Sequence, residues 1–255
     1  MTAWAPGALT PRPGAAPMGR MLWAQTRAEV LLALRGGEQL LLTMIIPVGL
    51  LVVLTLLPFV AVTGRRVDFF VPGVLALAIM SSAFTGQAIA TGFERQYGVL
   101  KRLGATPLPR PVLLAAKTLG VLLIELVQLV AITLVGLALG WRPAGSPATL
   151  LALVVLGTAA FSGLGLLLGG TLRGLTTLAA ANLVWFVLLL LGGVVFPLSQ
   201  FGAAEPALRL LPTAALSGGL RSVLAGHGVP GRDLLALAVC AVLALFAAGR
   251  AFRWE

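Results

Sequence analysis

Long apolar runs separated by short polar turns dominate this chain. About 20 consecutive apolar residues make a helix that crosses the roughly 30 Å hydrocarbon core of a bilayer. The pattern predicts six such spans, at about 40–62, 71–92, 112–139, 148–170, 175–196 and 233–250. Only helices and closed barrels satisfy every backbone group in lipid, and runs this long select helices. The predicted class is therefore all-α integral membrane. Pro47 and Pro58 fall inside the first run and predict kinks. Phe70-Val71-Pro72-Gly73 opens the second, with proline in a first turn. Residues 20–38 interleave Arg20, Arg27, Glu29, Arg35 and Glu38 with Leu22, Trp23, Val30 and Leu34. That stretch is too charged to span and predicts an amphipathic helix lying at the interface. Residues 197–231 are broken by four prolines and predict short re-entrant or extracellular helices. Residues 1–19, rich in Pro and Gly, predict a disordered tail, and 20–255 predict one transmembrane domain.

Composition agrees with the pattern. The chain is 59% hydrophobic and 10% charged, against roughly 25% charged in a soluble domain. Mean hydropathy is +1.03. A net charge of +10 would suggest nucleic acid, but the basic residues flank apolar runs and do not form a patch. They report topology instead. Twelve Lys and Arg lie on the side of the termini, against six at Arg65, Arg66, Arg142, Arg209, Arg221 and Arg232. The positive-inside bias places both termini in the cytoplasm. The predicted short turn after the third span carries Trp141 at the interface. Gly165 and Gly169 form a small-residue pair of the kind that lets helices approach closely.

Catalytic and metal chemistry find no residues to carry them. One histidine and one cysteine, Cys240, cannot build a His/Cys metal cluster. Lys117-Thr118 lacks the glycine frame of a phosphate loop, so any ATP must be handled by another polypeptide. Polar residues inside the runs are candidates for a substrate path: Ser81, Thr85, Gln87, Glu125, Gln128 and Asn182. Helical spacing pairs Ser81 with Thr85 and Gln87 with Thr91. Each candidate has a structural alternative, hydrogen bonding to a neighbouring helix. A carboxyl at the depth of Glu125 is either such a bond or an ion site, which leaves open an ion- or proton-coupled secondary transporter.

The densest polar island is Phe93 to Leu108. Between the second and third spans, it is either a solvated positive-inside loop or a short helix seated on a soluble partner. Its run Gly92-Phe93-Glu94-Arg95-Gln96-Tyr97-Gly98-Val99-Leu100-Lys101-Arg102-Leu103-Gly104-Ala105-Thr106-Pro107-Leu108 resembles the signature loop of ABC-2 type transporter permeases. Asp68-Phe69-Phe70-Val71-Pro72-Gly73, Gly192 to Leu198, and Leu211-Pro212 through Leu220-Arg221 resemble further segments of that family. The similarity spans about residues 20–250 and is nearest the daunorubicin and multidrug exporters of bacterial inner membranes. Ser199 to Ala203 lacks the family's Leu-Pro, and no aromatic follows Thr213. The resemblance implies a permease subunit without a cofactor of its own. It pairs with a second permease copy, as a homodimer or related heterodimer, amid membrane lipid. A cytoplasmic P-loop ATPase supplies ATP and Mg. It further implies that a loop helix at 93–104 couples the two, with Glu94, Arg95, Tyr97, Gly98, Leu100, Lys101 and Arg102 as contacts. The implied cargo is a drug, lipid or glycolipid, moved outward.

Overall fold

The computed structural model describes residues 14–252 except 59, 61 and 63. Most of the expected tail, and the end of the first predicted span at 59 and 61, lie outside the described residues. The first helix, α1 (Met18–Arg35), begins inside the predicted tail, directly after Pro17. It stops at Gly36, and α2 (Gly37–Leu56) follows at once. Pro47 sits within α2 as expected, but the helix ends at Leu57, before Pro58, and does not continue to 62. The residue before a proline is pushed out of the helical region, which explains the early stop.

The second span is longer than the apolar pattern alone indicates. It runs without interruption from Arg66 to Gln96 as α3 (Arg66–Ile79), a π-helical turn (Met80–Gly86) and α4 (Gln87–Gln96). Pro72 therefore lies in the helix interior and not in a first turn. Charged residues at both ends resemble turn sequence, so the apolar pattern alone predicts a shorter span. The next helices are α5 (Val99–Gly104), α6 (Arg110–Ala138), α7 (Pro147–Thr171) and α8 (Gly174–Leu191). A 3-10 turn (Leu198–Ala204), α9 (Glu205–Leu208) and α10 (Pro212–Leu224) precede α11 (Gly231–Ala251). Pro111, Pro147 and Pro212 each occupy a first turn, where the missing donor is harmless.

Five helical spans are long and apolar enough to cross a membrane: 66–96, α6, α7, α8 and α11. A shorter apolar stretch, Thr43–Leu56, lies within α2. Among the described residues the regular structure is helical, apart from a single bridge between Ala144 and Ala225. The protein is an all-α integral membrane protein.

The 66–96 span is the buried axis, and α7 is the element most fully packed against it and against α11. The Gly165 and Gly169 pair carries that packing. A Cβ on Gly165 would meet the carbonyl of Phe84 at 2.6 Å, and one on Gly169 would meet that of Ala88 at 2.4 Å. In contrast, α8 and α11 present apolar side chains outward, as lipid-facing helices must. Trp141, expected at an interface, is instead buried in the main core near Val71 and Gly136.

At the end of the bundle opposite the polar island, three arginines bind backbone carbonyls. The Arg66 guanidinium donates to the carbonyls of Leu54, Thr55, Leu57 and Val60, closing the end of α2. Arg65 donates to Gly140 O at 2.6 Å. Arg221 lies 3.9 Å over the Phe69 ring and donates to the carbonyls of Phe69 and Val194. Half of the six positive charges counted on that side are thus bound to backbone carbonyls.

Candidate functional site

The polar island is not one helix. Gly98 takes a left-handed conformation, φ 71°, so the chain turns sharply between α4 and α5. A side chain there is strained whatever space surrounds it. The break divides the expected coupling residues. Glu94 and Arg95 stay on α4, at the end of the long span. Arg95 Nη1 donates to Leu172 O at 3.2 Å, capping α7. Glu94 turns toward α6 and Lys117. On α5, Leu100 is fully buried among Leu113, Leu114, Leu166 and Phe252. That small apolar cluster tethers the helix. Tyr97, Val99, Lys101 and Arg102 remain exposed at the end of the bundle. The exposed face carries a tyrosine and a valine beside basic residues.

Two charges that sequence reasoning passed over lie next to it. Lys117, buried on α6, is held at 2.7 Å from Glu94 and 3.1 Å from Glu29. Glu29 comes from α1, so this triad binds the first helix, the end of the 66–96 span and α6 together. Gly120 completes the contact, since a Cβ there would meet the Glu29 Cβ at 2.9 Å. The available signal was Lys117 itself: an ammonium seven residues into an apolar helix needs an opposite charge.

The triad forms one wall of a cleft of about 460 Å³ between α1, α2, the 66–96 span and α6. Of the six predicted path residues, Ser82's neighbour Ser81 accepts from Trp185 Nε1 at 2.9 Å and faces α8. The π-helical turn displaces it from the α-helical register that would pair it with Thr85, whose hydroxyl has no partner among the described residues. Gln87 lines the cleft together with Thr91, as their spacing predicted. Glu125 is fully buried and accepts from Thr158 Oγ1 at 2.5 Å, bridging α6 to α7. Gln128 accepts from Ser82 at 3.1 Å and donates to Thr43 O at 2.5 Å. Neither Glu125 nor Gln128 lines the cleft. Asn182 is exposed on the outer face of α8. The structure thus brings Gln87 to a cavity, places Glu125, Gln128 and Ser81 between helices, and leaves Asn182 outside.

No curated protein matches the sequence closely enough to count as a relative. A family model, described as ABC-2 type transporter, matches residues 20–224. The match runs from the start of α1 through the polar island to the end of α10. It therefore takes in every element that builds the triad, the cleft and the exposed α5 face. Members of this family are permease subunits without an ATP site of their own. By a match that covers most of its length, this multi-pass membrane chain belongs to the ABC-2 type transporter family.

Proposed function

We propose that this chain is the permease half of an ATP-driven exporter in a bacterial inner membrane, with both termini cytoplasmic. Two copies, identical or related, form the path for a hydrophobic or amphiphilic cargo such as a drug, lipid or glycolipid. Each docks a separate ATPase subunit that binds ATP and Mg. The observation that carries this reading is the break at Gly98. It gives a short helix anchored by one buried leucine and facing outward with Tyr97, Val99, Lys101 and Arg102. An anchored helix with apolar knobs and a charged rim suits a groove on a soluble protein. Glu94 supports coupling from within, because it joins that loop to α1 and α6 through Lys117.

The test is reconstitution with the ATPase subunit encoded beside it or copurifying with it. Tyr97→Ala combined with Lys101→Glu is expected to lower ATP-dependent flux at least tenfold, with membrane insertion unchanged. Gly98→Val is expected to do the same by straining the turn. Intact flux in both variants rules out α5 as the joint. Gradient-driven flux without any ATPase would favour the ion-coupled reading centred on Glu125.

A further inference from the structure

The outward face of α1 joins two kinds of side chain that no single bulk solvent suits. Arg20, Trp23, Arg27, Leu31, Leu34 and Arg35 all fall within about one third of the helix circumference at 3.6 residues per turn. All six are exposed, Trp23 by 66%. The opposite face is occupied. Thr26 is buried, and Glu29, the one acid of α1, reaches Lys117 on α6. The outward stripe therefore carries three guanidinium groups and no carboxylate. None of the three is held by an acid among the described residues. Water would leave a tryptophan and two leucines uncovered. Hydrocarbon would exclude three arginines. The headgroup layer accepts both, with indole and leucine at the acyl boundary and guanidinium among phosphates. The neighbouring chain agrees. Only Gly36 separates α1 from α2, where Leu41, Ile45 and Ile46 are apolar and exposed. A lipid-facing surface thus begins within about 10 Å of helical rise beyond Arg35. The bond from Glu29 to Lys117, and from there to Glu94, fixes α1 at the end of the bundle that carries the polar island.

We propose that this stripe is a binding surface for anionic phospholipid in the leaflet beside the polar island. Arg20, Arg27 and Arg35 donate to lipid phosphates, which the planar guanidinium can engage with two bonds at once. Trp23, Leu31 and Leu34 enter the acyl boundary between them. A zwitterionic lipid carries its own ammonium beside the phosphate and gains less, so the surface selects by net headgroup charge. Binding needs neither the ATPase nor a second copy, so it stands or falls independently of the proposed transport.

The experiment uses the full chain in phosphatidylcholine liposomes, without ATPase. Ala24, exposed beside the stripe, carries a bimane through Ala24→Cys in a Cys240→Ser background. Trace phosphatidylglycerol or phosphatidylcholine with a nitroxide high on its acyl chain serves as the quencher. The anionic tracer is expected to associate about fivefold more tightly, the effect of one arginine at headgroup level, and the preference shrinks in high salt. Replacing Arg20, Arg27 and Arg35 together by Gln is expected to remove the preference, and replacing all three by Lys to keep it. Removing three of the twelve basic residues on this side still leaves more than the six opposite, so the orientation is retained. Arg142→Gln, exposed on the opposite side of the positive-inside count, is expected to change nothing. Equal quenching by the two tracers overturns the proposal, and so does a preference that survives the triple Gln variant. Quenching by neither tracer shows a face turned to water, where a soluble partner covers it, and overturns the proposal as well.

Discussion

Lys117 decides more of this structure than any other single side chain. Its ammonium is 4% exposed and joins two carboxylates that are themselves mostly covered. Such a group is costly to bury alone and is stabilised by its partners. Removing only the cation leaves Glu29 and Glu94 facing each other with no counter-charge. Lys117→Met is expected to lose about 3 kcal/mol, at the low end for a broken buried pair because both carboxylates retain some exposure. Lys117→Met with Glu29→Gln and Glu94→Gln is expected to recover most of that loss. Equilibrium unfolding in mixed micelles measures both. A triple variant no more stable than Lys117→Met would show that the lysine stem, not its charge, holds the site. Arg66 and Arg221 illustrate the same logic at the other end. Each is held by backbone carbonyls, Arg66 at the end of α2 and Arg221 at Phe69 and Val194, so charge there reports local structure as well as topology.

At the level of helices, the apolar pattern made the long spans visible, although the helix of the first predicted span ends before its limit and the second extends beyond both of its own. Their ends were less visible because charges mark both loops and helix termini. Phe93 to Gln96 is polar yet helical: Arg95 has a carbonyl to cap and Glu94 has a lysine to meet. Both partners are distant in sequence, Leu172 and Lys117, so no local pattern could announce them. The π-helical turn was invisible for a similar reason, since Met80 to Gly86 carries no composition that distinguishes it from α-helix. The glycine pair on α7 was legible but indistinct in a chain with 31 glycines. Its meaning emerges only with α4 against it. Gly169→Val is expected to destabilise by about 1–3 kcal/mol, because its Cβ would sit 2.4 Å from the Ala88 carbonyl and backbone must move. Gly49→Ala on α2 meets nothing within 4 Å and is expected to be neutral or mildly stabilising. Thermal unfolding of the two variants side by side checks the contrast. Equal behaviour would remove close packing as the reason for the α7 glycines.

For the whole molecule, the proposed second copy needs a surface on this bundle to meet. The second and fifth spans meet inside one chain, where α8 packs on α4 and on the π-helical turn. The 66–96 span is already mostly covered, which leaves it little surface for a partner. The outer face of α8 is different. Leu175, Asn182 and Phe186 follow one another at helical spacing and all are exposed. Apolar residues there could simply face lipid, but an amide in hydrocarbon lacks partners. Interhelical bonding of such a group contributes about 1 kcal/mol to association in membranes. A partner's α8 would satisfy it, so the proposed dimer is expected to meet on this stripe. Replacing Cys240 with serine and introducing Phe186→Cys, which leaves the Asn182 amide in place, should then give a disulfide-linked dimer on mild oxidation in liposomes. Bridging requires Cα atoms within about 7 Å, so the reaction reports direct apposition of the two helices. Val242→Cys on the equally lipid-exposed α11 serves as the comparison and should remain monomeric. Crosslinking at 242 but not at 186 would move the interface to the other side of the bundle, and with it the proposed path between the two copies.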